Sequence, residues 1–120
     1  MRKNPYDYGE SKHKPGVSLE DIGYLVNTSR YIKNSRLAMF RISKYSSTRG
    51  VSYISGEYVP VEDYHCHHIK PKEKGGKNDF DNLCVLSETD HIILHSSNPS
   101  RLYELYPMKK KRIKSLIDKL

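Results

Sequence analysis

Residues 64–95 read YHCHHIKPKEKGGKNDFDNLCVLSETDHIILH, and their reading decides the fold. The stretch opens on a β-prone run that ends in an adjacent pair, His67 and His68. Pro71 biases Lys70 away from the helical region, so Asp63 to Ile69 is expected to be extended. Lys72 to Asp81 carries Gly75-Gly76 and no apolar period, which predicts a loop with the glycines at its tip. Leu83 to Leu86 is a short apolar strand. Ser87, with Asp90 three residues on, then caps a helix. On it His91 and His95 share a face one turn apart, and Ile92, Ile93 and Leu94 are expected to supply the packing surface.

A hairpin lying against that helix brings the end of its first strand over the face carrying His91 and His95. The imidazoles of His67, His68, His91 and His95, with the carboxamide of Asn82, are enough to build a metal site. Adjacent strand residues point to opposite sides, so His67 and His68 are expected to take different roles. One imidazole binds a metal with the helical pair, and its neighbour stays free to act as a base. An imidazole suits that task because its ordinary pKa of about 6.5 lets it accept a proton near neutrality.

Working outward, Ser18 with Asp21 forms a capping-box pattern that opens an amphipathic helix, with Leu19, Ile22, Leu25 and Val26 on one face. A second helix is expected from Ser35, using Leu37, Phe40, Ile42 and Tyr45, and ending in the turn-like run Ser46 to Gly50. Val51 to Val61 reads as a short hairpin broken at Ser55-Gly56. Beyond Asn98-Pro99, Arg101 to Tyr106 gives a further helical turn or two. Pro107 then starts a last helix, Met108 to Leu120. Its stripe of Ile113, Leu116, Ile117 and Leu120 should dock on the domain and turn Lys109, Lys110, Lys111, Arg112 and Lys114 outward.

At 120 residues the chain is expected to be one domain, 1–120. Its parts are a flexible arm (1–17), a helical lead (18–49), a central core (50–98) and a basic C-terminal helical extension (99–120). Hydrophobic residues make up 36%, ten of them Tyr with a polar tip, so the core should be thin. The formal charge of +7 is unevenly spread. Residues 1–60 carry ten basic against five acidic side chains, 61–98 four against seven, and 99–120 seven against two. Basic flanks around an acidic, His-rich centre suit a polyphosphate held from both sides, with a cation in the middle.

No apolar run approaches the ~20 residues that span a bilayer, and no hydrophobic signal region opens the sequence, so a cytoplasmic protein without a membrane partner is expected. Cys66 and Cys84 lack the spacing of a disulfide framework or a four-ligand zinc site, and small buried roles are expected for them.

The central stretch resembles the HNH endonuclease motif, the ββα-metal or His-Me finger. The matching features are His67-His68-Ile69-Lys70-Pro71, Gly75-Gly76, Asn82-Leu83 and the His91 to His95 helix. The segment Asn34 to Gly56, with its Gly-x-x-x-x-Ser-Gly turn, also resembles HNH domains at the C-terminal end of group II intron reverse transcriptases.

The resemblance implies a small α+β fold, a ββα-metal core with flanking helices, that hydrolyses or nicks DNA with one divalent ion. It implies His67, His91 and His95 as metal ligands, His68 as general base, and Asn82 as the group that orients the base or reaches the metal. Three imidazoles favour Zn, Ni, Co or Mn, whereas an Asn82 plus His91 set leaves room for water and Mg. Lys70, Lys72, Lys74, Lys77, Arg101, Lys109, Lys110 and Arg112 are the expected nucleic-acid contacts, mostly to phosphates, with RNA left open beside DNA. The alternatives are a non-catalytic binding module, or a partner-dependent nuclease acting beside a reverse transcriptase or another mobile-element or phage protein. One departure stands out: where many relatives place zinc-binding cysteines, this chain has Ser52, Ser87 and Asp90.

Overall fold

The computed structural model describes residues 17–120, so the arm expected over 1–17 lies outside the described residues except for Val17. The architecture is α+β, centred on a two-stranded antiparallel hairpin, β1 (Tyr64–His68) and β2 (Leu83–Ser87). Tyr64 faces Ser87, His65 Leu86, Cys66 Val85, His67 Cys84, and His68 Leu83.

Helices cover both faces of this hairpin, and the two-residue side-chain period sorts the core between them. Cys84 and Leu86 point into one cluster, with Ile54 and with Leu94, Leu102, Ile113 and Leu116. These last four come from α3 (Glu88–Leu94), α4 (Arg101–Leu105) and α5 (Lys110–Asp118). Val85, between them, points the other way and packs with Tyr64, Leu25, Tyr45, Val59 and Val61. Leu25 and Tyr45 belong to α1 (Leu19–Ser29) and α2 (Ser35–Ser47). A strand buried on both sides needs an unbroken apolar run, and Leu83 to Leu86 are all buried.

The lead folds as its caps dictate. Ser18 and Asp21 form the reciprocal capping box, and Asn34 accepts from the Leu37 amide to start α2. Arg41 ties the two helices together by donating to the Leu25 carbonyl and to the Thr28 and Ser29 hydroxyls, at 2.8 to 3.3 Å. The Tyr45 hydroxyl donates to the Val59 carbonyl at 2.6 Å and that of Tyr64 to the Arg41 carbonyl at 2.8 Å, so both buried phenols keep a partner.

Three expectations change. The segment 51–61 reverses direction as expected but pairs only over one antiparallel bridge, Val51 to Tyr58, without extended strands. The Ser52 hydroxyl accepts from the Ile54 and Ser55 amides and curls the chain, while the Tyr53 amide donates to Val85 on the outer edge of β2. Ile92 is exposed, because α3 is one helix of 3.6 residues per turn and cannot turn three successive side chains to one side. Of the three, only Leu94 is fully buried, with Ile93 packed beside it. Leu19 and Val26 are likewise exposed, and Leu25 carries the α1 contact.

The C-terminal extension follows its pattern: Ile113 and Leu116 are fully buried, Ile117 and Leu120 pack against them, and Lys110, Lys111, Arg112 and Lys114 are exposed. No helix among the described residues is long and apolar enough to cross a membrane.

Position 76 tolerates no side chain, since a Cβ there would lie 1.7 Å from the Lys70 carbonyl oxygen. Gly76→Ala is therefore expected to lower stability by on the order of 2 kcal/mol or to open the loop. Gly23, mid-helix with nothing within 4 Å of its added Cβ, should behave oppositely. Gly23→Ala is expected to stabilise by up to about 1 kcal/mol. Urea denaturation midpoints of the two variants check both signs.

Candidate metal centre and nucleic-acid interface

The alternation that buries β2 also separates the paired histidines. His67 sits opposite Cys84, on the hairpin face that α3 covers, and is 5% exposed. His91 lies on α3, and His95 occupies its C-cap, its amide still donating to the His91 carbonyl. The three rings meet edge to face, with centroids 5.4 Å apart for His67–His91 and His67–His95 and 4.6 Å for His91–His95. One nitrogen from each ring can be chosen so that all lie within 4.8 Å of one another.

This set fits a metal for a reason visible in the protein alone. His67 Nε2 is buried and has no hydrogen-bond partner. A buried polar atom without a partner costs about 1–3 kcal/mol, so such atoms are rare unless something else satisfies them. Burial, helped by the neighbouring histidines, pushes the His67 pKa down to about 3, and burial likewise takes His91 to about 4. Both rings are therefore neutral at pH 7 and hold the lone pairs that a first-row transition ion takes.

The cluster opens into a cavity of about 240 Å³ lined also by Cys66, His68, Pro71, Lys72 and Glu73. His68, the next residue along β1, shares this cavity, yet its Nε2 lies 2.7 Å from Asn78 Oδ1. A carboxamide oxygen only accepts, so this contact takes its proton from Nε2 and leaves Nδ1 as the ring nitrogen turned to other partners. Asn82 acts on the loop backbone: its Oδ1 accepts from the Lys70 amide at 2.8 Å. Its Nδ2 donates to the Lys70 and Lys77 carbonyls at 3.0 and 2.9 Å. These three bonds close the loop that carries Asn78.

Two residues escaped the sequence reading. His65 stacks on His91, with ring centroids 4.7 Å apart and planes 16° from parallel. Its signal was present, since it precedes His67 by two and must share its face. Asn78 left no comparable signal, because its place beside His68 depends on how the loop closes.

The expected phosphate contacts divide by position. Lys70, Lys72, Lys74 and Lys77 are exposed around the loop, with Lys72 on the cavity wall. Arg101 and Lys110 are exposed and Lys109 is half-buried. Arg112 donates to the Tyr53 carbonyl at 2.9 Å and lies over the Tyr53 ring. With Lys44 it lines a separate cleft of about 360 Å³, whose other walls include Tyr53, Ile69 and Val85.

Ser52, Ser87 and Asp90, which stand where the sequence resemblance places zinc-binding cysteines, are hydrogen-bonded here. Besides the Ser52 turn, Ser87 accepts from the Asp90 amide, and the buried Asp90 carboxylate accepts from the Tyr106 hydroxyl at 2.8 and 3.0 Å. Burial raises the Asp90 pKa while the Tyr106 bond opposes the rise, and Tyr106 itself is pushed up to about 12. The pair fastens the start of α3 to the segment entering α5.

Residues 54–97 match a family model described as HNH endonuclease, an interval that contains the hairpin, the loop and all of α3 with its histidines. No curated protein and no solved structure matches the chain.

Zinc or nickel is expected to raise the melting temperature, by the equivalent of about 2.7 kcal/mol at a hundredfold excess over Kd. Alanine at His67, His91 or His95 should each weaken that metal affinity at least tenfold, as read by calorimetric titration. The pH dependence of the metal-free protein follows from the depressed pKa values. Between about pH 6.5 and pH 3 the unfolded chain binds protons that folded His67 and His91 refuse, so stability falls as pH falls through that window. His67→Leu should flatten the fall, checked by melting temperatures at pH 4, 5, 6 and 7.

Proposed function

We propose that this protein is a metal-dependent endonuclease that hydrolyses phosphodiester bonds in DNA, with His68 as general base. One juxtaposition carries the reading: an orphaned imidazole nitrogen in a three-histidine cluster, sharing its cavity with a second imidazole whose Nδ1 is free. A pure scaffold has no need of that second group. His67, His91 and His95 would hold the ion, which when bound supplies Lewis-acid charge to the phosphate.

The chain's own residues account for the rest. His68 Nδ1 takes a proton from a water in the cavity while Nε2 keeps its proton on Asn78. The water oxygen forms the new bond to phosphorus as the bond to the 3′ oxygen breaks, leaving a 5′-phosphate. The departing 3′ oxygen takes its proton from solvent. Lys72, on the cavity wall, offsets the phosphate's negative charge, and Asn82 keeps the loop closed around the base.

Recognition in this reading is largely electrostatic. The lysines of the 70–77 loop flank the cavity, and Lys109, Lys110 and Arg112 extend the basic surface over α5. Backbone contacts of this kind give binding with little base readout, on DNA and to a lesser degree on RNA.

A second reading is favoured by a different observation. Leu19 is 89%, Tyr31 83% and Met39 59% exposed on the helical lead, apolar surface that a protein partner would cover. The resemblance of Asn34 to Gly56 to group II intron-encoded HNH domains points to a reverse transcriptase or another mobile-element protein as that partner. Cleavage in this case requires the partner.

Supercoiled plasmid incubated with the protein and Mn, Ni, Zn or Mg is expected to be nicked in a metal-dependent way. His68→Ala should cut at least about 100-fold more slowly while still retarding DNA in a gel. Loss of cutting in both proteins, with retention of DNA binding, would leave the binding-module or partner-dependent reading. Relative to wild type, the slope of log Kd against log salt should fall by about 1 for each of Lys72, Lys74 and Lys77 that contacts a phosphate and is replaced by alanine.

A further inference from the structure

We propose that Asn78 is a positioning residue for the base, and that helix α2 fixes Asn78 through an aromatic and cationic clamp on the loop. The inference deepens the nuclease reading and rests on it for its catalytic consequence. The juxtaposition behind it is a continuous run of contacts from α2 to the His68 ring.

Asn78 belongs to a loop whose next residues grip α2. Asp79 pairs with Arg36 at 3.2 Å. The Phe80 ring meets the Phe40 ring edge to face, with centroids 5.8 Å apart. Lys44 Nζ lies 3.6 Å from the Phe80 centroid, and the Arg36 guanidinium 5.2 Å from that of Phe40. Arg36, Phe40 and Lys44 recur at intervals of four on α2, so they form one ridge along its surface. The loop is thus held at 79 and 80 by that ridge, and at 82 by the Asn82 bonds to Lys70 and Lys77. Asn78 lies between these anchors and has little freedom to leave His68.

The chemical consequence concerns which nitrogen of His68 is available. A neutral imidazole exchanges its proton between Nδ1 and Nε2 and rotates about its side-chain bond unless a partner selects one arrangement. Among the described residues Asn78 Oδ1 is the partner given to the His68 ring. With that bond in place, Nδ1 is the base and the ring plane is fixed. Without it, a share of the molecules presents a protonated Nδ1 or a turned ring, and the chemical step slows while DNA binding is unchanged.

The test reads the ring directly. Long-range nitrogen–proton NMR spectra of the full-length, metal-free protein at pH 8 should show wild-type His68 as one Nε2-protonated tautomer. Asn78→Ala should give an averaged or mixed signature, and Asn78→Asp, which keeps an acceptor oxygen in place, should restore the single tautomer. Phe80→Leu and Lys44→Met, which loosen the clamp at a distance, should shift the signature in the direction of Asn78→Ala.

In plasmid nicking, Asn78→Ala is expected to lower kcat about tenfold or more with KM unchanged, the aspartate variant recovering most of it, and the two clamp variants falling between. Thermal melts select variants that remain folded, and Lys44→Met, a partly exposed change, keeps the test alive if Phe80→Leu does not fold. A single Nε2–H tautomer retained in Asn78→Ala overturns the role of Asn78. Wild-type spectra in both folded clamp variants overturn the role of α2. If wild type cuts no DNA, the nuclease reading fails, while the spectra still decide the positioning.

Discussion

The structure depends on one constraint, the two-residue alternation of side chains along a hairpin buried on both faces. With α1 and α2 on one side and α3, α4 and α5 on the other, each successive residue of β2 must be apolar, and Leu83, Cys84, Val85 and Leu86 are. The same alternation acts on β1, where the residues are histidines. His65 and His67 are sent to the α3 side, and Tyr64 and Cys66 to the α2 side. His68 stands at the strand's end, where the chain turns into the loop. A shift of one residue in register would put His67 among the α2 core residues and empty the cluster, so packing of β2 and assembly of the three-histidine cluster are one requirement.

Loop closure meets a second requirement. Fourteen residues, 69–82, join β1 to β2, and their backbone groups must find partners, because a long loop close to a buried site cannot leave them unpaired. Short 3-10 turns at Lys72–Lys74 and Phe80–Asn82 supply some, and Asn82 supplies three more through its side chain. Gly76 allows the chain to pass against the Lys70 carbonyl. Elsewhere, hydroxyls and a carboxylate fasten the fold: Ser52 ties a turn, Ser87 caps α3, and Asp90 with Tyr106 joins α3 to the C-terminal extension. Each such bond is worth about 1 kcal/mol, so several act together.

Most of the fold was legible because its signals are local. The Ser18 and Asn34 caps, the apolar run of β2 and the stripe of α5 each depend on residues a few positions apart, and each element formed near its expected limits. The hairpin expected over 51–61 is reduced to one antiparallel bridge, Val51 to Tyr58, because the Ser52 hydroxyl curls the chain at 54–55 and the Tyr53 amide pairs with β2. At the site, His67, His91 and His95 were legible as a set, since strand and helix periods place them. His65 was equally placed by period and was passed over in favour of the adjacent pair. Asn78 was illegible for a physical reason: its contact with His68 is fixed by the Phe80–Lys44 and Arg36–Asp79 contacts, which span 36 and 43 residues of sequence.

The charge distribution now has a structural meaning. A chain of net charge +7 is a poor place to hold a divalent cation unless its ligands are neutral and its lysines stand off. Burial supplies the first condition, keeping His67 and His91 uncharged far below neutral pH. The second follows from exposure: the lysines of the 70–77 loop extend into solvent, with Lys72 reaching the wall of the cavity and Glu73 beside it as a nearby negative charge. The basic surface therefore surrounds the imidazole cluster without entering it. In the proposed function, a phosphate drawn to the lysines would be brought to the cavity mouth, where an ion on the three imidazoles would supply the remaining positive charge. In the proposed function, attraction of a polyanion and retention of a cation would thus fall to different residues, and neither would oppose the other.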